Sequence, residues 1–276
     1  MSNSIRKGKT RPFSVLFFVI TIITSVGAYL GILALVAPKI WQVQIQASWS
    51  LLIATFVICH LVNAFAEHLF HRYVLHTPLI PGCSYFYKSH TKHHGLTHIV
   101  DKKTKGIHNV YPIIEEKQHE DSYFPWYSYL AFMLVLSGPL GLAQWLLPTA
   151  PIFLAGSLAL AWTISLYEIF HALEHKPLEK WLPLLEHQNS KIRKFWRTIY
   201  AFHLRHHADT KCNEGISGFF GIPVADFVFR TWIDPNTLYP HGEQVDRQEF
   251  EPPRPVFFIR WLDEFAENQK LKKRTM

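Results

Sequence analysis

The chain alternates between long apolar stretches and polar ones rich in cations. Phe13 to Val36 holds no charged residue in 24 positions. At about 1.5 Å per residue this makes a helix of roughly 36 Å, enough to cross a hydrocarbon core of about 30 Å with some tilt. A second span is expected from about Trp49 to Phe65, continuing as helix into Glu67, His68 and His71. A third is expected from about Tyr127 to Leu147, loosened near Gly138 and Pro139, and a fourth from about Ala150 to Phe170. Pro148 to Pro151 is long enough only for a tight turn, so the last two spans form a hairpin. Between Thr77 and Pro125 the chain is polar, with one short helical candidate carrying SHTKHHGLTH. Ser190 to His207 reads as an amphipathic helix, with Ile192, Phe195, Trp196 and Ile199 at i, i+3, i+4 and i+7. The same rotation carries His203, His206 and His207 onto that stripe, which Lys191, Arg193, Lys194 and Arg197 flank, so the helix is expected to turn its histidines to the bundle and its cations to the headgroups. The expected fold is all-α. It is a four-span transmembrane helical bundle with a cytosolic helical cap, residues 77–125 and 176–276, forming one membrane-embedded domain.

Composition supports the membrane reading, since 49% of the residues are hydrophobic and 18% charged. Charge then orients the bundle. Of the 28 Lys and Arg, only Lys39 lies between the first two spans and none lies between the last two. The positive-inside tendency places the other segments, both chain ends and all the clustered histidines in the cytoplasm. The formal charge of +7 is then explained by anionic lipid, with no nucleic acid required. The basic tail KLKKRTM reads as lipid-facing, and the membrane is expected to be the endoplasmic reticulum or a bacterial inner membrane. The first apolar stretch is too long for a secretory signal, although an uncleaved signal anchor is compatible with it. Cys59, Cys83 and Cys212 form no CxxC and no even framework, which excludes a thiolate metal site and a disulfide scaffold.

The candidate chemistry lies in histidine. Of 17 histidines, ten fall in four local clusters. These are His71 with His76; His90 with His93 and His94; His171 with His175; and His203 with His206 and His207. On a helix, positions i, i+3 and i+4 lie within an arc of about 100°, so each HxxHH turns three imidazoles to one side. Neutral imidazole is a good ligand for iron, zinc, copper or nickel. Three such nitrogens suit one metal ion, and ten suit two. His71 and His76 are about 140° apart on an α-helix, so either the helix ends there or the two rings address different ions. His98 extends the face of His90 and His94 and is a candidate eleventh ligand. Glu67 and Glu168, each one turn before a clustered histidine, are candidates to accept the second ring hydrogen of a ligating imidazole. His108, His119, His187 and His241 lack such spacing and read as surface histidines.

HRYVLH, HTKHH, HALEH and HLRHH, in this order, resemble the fatty acid hydroxylase and sterol desaturase superfamily, integral membrane oxygenases with histidine boxes. GISGFFGIPVADFVFRTW, Gly215 to Trp232, resembles that family's closing turn and helix, and YEIFH its acidic residue before the third box. The likeness covers roughly Glu67 to Trp232. It implies a dinuclear iron centre, with zinc as a substitute ion, held by the ten clustered histidines where the cap meets the membrane. It also implies O2 as co-substrate and a lipid as substrate. The likeness includes no fused haem domain, so electrons are expected from a separate protein, a b-type cytochrome or a ferredoxin with its reductase.

Oxidising a lipid C–H bond requires an oxidant assembled from O2, hence a redox metal and two electrons. No GxGxxG or phosphate loop is present, so no nicotinamide or flavin site is expected. The reading is therefore an O2-dependent lipid hydroxylase or desaturase acting on a fatty acyl, sterol or related lipid, with a carotenoid hydroxylase as the alternative inside the enzyme class. From other classes, a non-catalytic zinc-binding or metal-transport protein and a bis-histidine haem protein stay open. Against transport, no polar residues are expected to line the spans. Against haem, only His60 sits within them.

Overall fold

The computed structural model describes residues 14–80, 82–101, 104, 106–119 and 121–275; Phe13, the expected start of the first span, lies outside them. Their α-helices are α1 (Val15–Val36), α2 (Pro38–Gln46), α3 (Trp49–Phe70), α4 (Ser84–Leu96), α5 (Ser128–Leu146), α6 (Ile152–Glu174), α7 (Leu178–Leu185), α8 (Ser190–Ala208), α9 (Val224–Phe229) and α10 (Phe257–Thr275). Among the described residues the β pairings are isolated bridges, Val100 to Ile107 and Phe219 to Ile222. Four helical segments are long and apolar enough to cross a membrane: Val15–Val36, Trp49–Leu75, Ser128–Leu146 and Ile152–Glu174. The second continues as helix beyond Phe65, as expected, and on to Leu75, and the fourth runs four residues past the expected Phe170.

Local chemistry sets the helix starts. The Ser14 and Ser48 hydroxyls accept the amides of Phe17 and Leu51, each at 3.3 Å, and so cap α1 and α3. Pro38 opens α2, a short helix not expected from the sequence; proline suits a first turn, where its missing N–H has no partner to lose. In the bundle α6 is central and α1, α3 and α5 surround it. Small residues on α6, among them Ala155, Gly156 and Ala159, permit close approach. A Cβ on Gly156 would meet Leu140 of α5 at 2.7 Å. The outer helices keep large apolar side chains bare, Leu35 at 83% and Leu134 at 78% exposure, as lipid contact requires.

Several polar residues in and beside the spans bond to one another. Gln44 and Gln144 bond at 2.9 Å. His60 accepts the Phe220 amide at its Nε2, 3.0 Å, so its Nδ1 carries the proton and donates to Thr163, 3.1 Å. Neither His60 nitrogen is left for a haem iron. The Phe220 amide belongs to a turn, 217–223, that tucks against the bundle, with φ positive at Gly218, Phe220 and Gly221.

A second core, built from Ile99, Tyr111, Trp181, Tyr200, Leu204 and Tyr239, joins α7 and α8 to the loop after α4. Asn189 caps α8 by accepting the Lys191 amide at 2.9 Å. The expected stripe on α8 holds only in part. Ile192 and Phe195 are exposed, and burial begins at Tyr200 and continues through His207 on all sides of the helix. The reason is that the chain near Phe250 and Glu251 wraps this end. Arg205 is fully enclosed there, 5.9 Å from the Phe250 ring and donating to the Glu251 carbonyl at 3.3 Å.

The turn at Gly218 yields a direct test. A Cβ there would lie 2.3 Å from the Ile222 carbonyl oxygen, a backbone atom that cannot rotate away, at a φ of +50°. Gly218→Ala is therefore expected to destabilise the protein by about 2 kcal/mol or more. Gly27→Ala, in open space on α1, should leave the thermal midpoint in detergent unchanged or slightly raised. Equal midpoints for the two variants would contradict the packing of this turn.

Candidate metal centre

All four histidine clusters sit at the C-terminal ends of helices. His71 and His76 follow α3, His90, His93 and His94 close α4, His171 and His175 close α6, and His203, His206 and His207 close α8. Each helix presents unpaired carbonyls and about half a negative charge at that end. Their convergence makes a field suited to cations and hostile to anions.

The His71–His76 spacing is resolved by a π-helical turn, His71–Leu75, in which the His76 amide donates to the His71 carbonyl at 3.1 Å. An i to i+5 repeat brings the two rings back into register, stacked with centroids 5.0 Å apart. They therefore belong to one group, and the expectation that they might address different ions is corrected.

The ten rings sort into two groups of five, His71, His76, His90, His94 and His206 in one and His93, His171, His175, His203 and His207 in the other. In each, the five ligand atoms lie within 4.8 Å of one another. Each HxxHH is thus divided, with His90 and His94 going one way and His93 the other, and His206 parting from His203 and His207. Three imidazoles on one side of a helix therefore do not serve one ion, because the two groups lie side by side and the middle of each arc faces the boundary between them.

Backbone carbonyls fix which nitrogen is bare. Nδ1 of His71, His175, His206 and His207 donates to the carbonyls of Glu214, Tyr111, Cys212 and Thr97 at 2.6, 2.8, 2.8 and 2.8 Å. The Ser122 hydroxyl spends its hydrogen on the Gln118 carbonyl and so accepts from His93 Nδ1 at 3.1 Å. The Nε2 atoms of these five rings carry lone pairs and point inward.

Inside each group those atoms crowd together. His90 Nε2 faces the Nε2 atoms of His71, His76 and His94 at 2.9, 3.2 and 3.1 Å. His203 Nε2 faces those of His175 and His207 at 3.1 and 3.0 Å. One ring hydrogen cannot serve two or three such contacts, so lone pair meets lone pair unless a cation stands between them. Nitrogens bound at right angles to one ion at about 2.0–2.1 Å would lie about 2.9 Å apart, close to the spacings found. The residues therefore fit a metal ion in each group.

The two carboxylates expected behind the ligands have other work. Glu67 accepts the amide and hydroxyl of Ser217, and Glu168 accepts the Phe124 amide at 2.8 Å. Both reach into neighbouring loops instead of along their own helix. The carboxylate the sequence reading missed is Glu214, with Oε2 3.8 Å from His71 Nδ1 and 3.9 Å from His206 Nδ1. Arg72 holds Glu214 at 3.1 Å and also grips Asp263 of α10 at 2.7 Å, so it ties the π-turn to a helix 190 residues away. Burial pushes the Glu214 carboxyl well above its ordinary range, partly opposed by Arg72. Asp226 accepts the amides of Glu214 and Gly215, each at 2.9 Å, and the Thr231 hydroxyl at 2.7 Å. Burial raises its pKa, but His68, Thr231 and the amide outweigh that and hold it below the usual range. The only sequence sign of these two residues was the resemblance of the segment around them.

His98 does not join the ten. Helix α4 ends at Leu96, the chain turns at Thr97, and His98 faces His108 and Asp101 across the following hairpin-like loop. This trio sits apart from the two groups. His241 is exposed.

A cleft lined by Leu75, Phe86, Phe124 and Tyr167 also touches His90 of one group and His171 of the other. Phe86 packs on Phe70 and Phe132 at the ends of α3 and α5. The approach to both groups thus has an aromatic side that packs on the ends of the spans and a polar side formed by Ser89, Asp121 and Ser122. Comparison with protein-family models, with curated proteins and with solved structures gives no match.

Burial, followed by the charges of neighbouring rings, holds His76, His90, His93, His94, His203 and His207 well below the ordinary histidine range. Burial also brings His175 down to about 3. Unfolded histidines take up protons below about pH 6.5 while these folded ones stay neutral, so acid favours the unfolded chain. Stability of metal-free protein is expected to be full above that pH and to fall below it, by about 1.4 kcal/mol per histidine per pH unit at most. Melting in detergent from pH 8 to 5 checks this; a midpoint that is flat or rises on acidification would contradict the buried neutral rings.

Proposed function

We propose that this chain is a membrane oxidoreductase of the non-haem, dinuclear metal class. More particularly, it acts as an O2-dependent lipid hydroxylase or desaturase related to the fatty acid hydroxylase and sterol desaturase superfamily. The observation that carries this reading is the pair of adjoining five-imidazole groups reached by one aromatic cleft. Structural zinc is almost always four-coordinate and closed. Five nitrogens exceed that number and leave room for one more ligand on an ion that takes six, which favours iron.

Iron bound there supplies the redox capacity to reduce O2 with electrons from a separate protein, so that a C–H bond can be oxidised. The chain's own residues do the rest. The ten histidines hold the ions as neutral donors, and the carbonyls of Glu214, Tyr111, Cys212 and Thr97 orient His71, His175, His206 and His207. The four helix ends offset the cationic charge, and the Glu214 carboxyl stands 3.8 Å behind His71 Nδ1. Phe86, Phe124 and Tyr167 give the approach aromatic faces that suit an acyl chain or ring, beside the polar Ser89, Asp121 and Ser122. Hydroxylation consumes O2, two electrons and two protons and yields an alcohol and water. Desaturation uses the same inputs and releases two waters. By the distribution of Lys and Arg the metal-binding end and both termini face the cytoplasm, where a b-type cytochrome or ferredoxin can dock, and residues 77–125 and 176–276 form a cap over that end.

The test is lipid chemistry. Protein reconstituted with ferrous iron, O2 and a reducing system should change extracted membrane lipids by the mass of one oxygen gained or two hydrogens lost. His206→Ala should abolish the product and release metal, whereas His241→Ala should leave both intact. Equal product from the two variants would exclude the assignment, as would product formed without O2.

A further inference from the structure

Helix α10 carries an outward aromatic stripe that stays about half exposed or more. Phe257, Phe258, Trp261 and Phe265 are 75%, 48%, 53% and 48% exposed, and at about 100° per residue they fall within an arc of about 100°. Phe258, Trp261 and Phe265 stack in sequence along the helix. The opposite side holds Ile259 and Ala266, both buried, and Asp263, so α10 already has its protein-facing side. A helix in water would not keep four large aromatic residues on its free face.

The position of α10 identifies what covers that face. Asp263 binds Arg72 through both oxygens, at 2.8 and 2.7 Å, and accepts the Tyr73 hydroxyl at 2.8 Å, while that hydroxyl also reaches the Ile259 carbonyl at 3.1 Å. Arg72 and Tyr73 directly follow the apolar helix α3, at the end of a segment able to cross the membrane. Helix α10 is therefore pinned at the level where hydrocarbon gives way to headgroups. The apolar surface continues beyond it. The Val256 amide bonds the Phe229 carbonyl of α9 at 3.0 Å, and Phe227 and Val228 of α9 are 49% and 57% exposed. The last described side chains of the helix include Lys270, a cation that suits anionic headgroups, and the sequence after it is basic.

We infer that α10 lies in the headgroup region of the same bilayer that α1, α3, α5 and α6 cross, with Phe257, Phe258, Trp261 and Phe265 inserted beside the acyl chains. Through Asp263 the membrane surface then supports the π-turn that presents His71 and His76. This inference requires that the four helices span, but not that the chain is an oxygenase.

Spin labels test it without any activity. In a Cys59→Ser, Cys83→Ser background, with Cys212 buried, a nitroxide is attached in turn at Phe258→Cys, Trp261→Cys, Phe265→Cys and Glu267→Cys. The full chain is reconstituted in vesicles of phosphatidylcholine containing phosphatidylglycerol. Accessibility to O2, which concentrates in lipid, is compared with accessibility to a water-soluble nickel chelate. The expected result is an O2-to-nickel ratio several-fold higher at 258, 261 and 265 than at 267. Nickel accessibility at those three equal to that at 267 would place the face in water. Exclusion of both reagents would place a protein surface over it. Either result overturns the inference, and the three outward positions guard against one label disturbing the helix.

Discussion

Ten imidazoles packed so that their bare nitrogens face one another at about 3 Å form an arrangement that cannot stand on its own. Burial removes water that could hydrate the lone pairs, and four of the ring hydrogens are spent on carbonyls and a fifth on the Ser122 hydroxyl. What remains is a demand for positive charge at two points. The rest of the structure serves that demand. Four helices end at it, so their negative poles converge, and Glu214 stands behind His71 and His206. The same acid-sensitive burial makes the rings poor proton carriers and good metal ligands.

This constraint explains features that look unrelated along the chain. The π-turn after α3 costs regular helix geometry, but its i to i+5 repeat returns the second ring to the same side. Arg72 lies inside that turn and is buried because it joins Glu214, beside the ligands, to Asp263 on α10. Asp226 gathers the amides of Glu214 and Gly215 and so places the carbonyl that orients His71. Loops that appear to close the chain therefore hold the site's supporting shell.

The sequence made the four spans, the helices around SHTKHH and FHLRHH, and the ten clustered histidines legible, because apolar length and i, i+3, i+4 spacing are local properties. It did not show how the ten divide. Which ring meets which depends on how four helix ends are arranged around a common point, and His93 parts from His94 although they are adjacent. The partners of Glu67 and Glu168 were also misjudged, since along one helix each lies a turn from a histidine, while in the fold each reaches a loop amide. Glu214 and Asp263 were invisible for the same reason, being 143 and 191 residues from what they support. His98 joins neither group of five because α4 stops two residues before it, and it lies instead with Asp101 and His108.

The central claim is that each group of five histidines holds one metal ion, and metal analysis with an optical spectrum tests it most directly. Protein expressed with supplemental iron and purified in detergent should contain two metal ions per chain and show no haem band. One ion shared between the groups, none at all, or a haem spectrum would contradict the account.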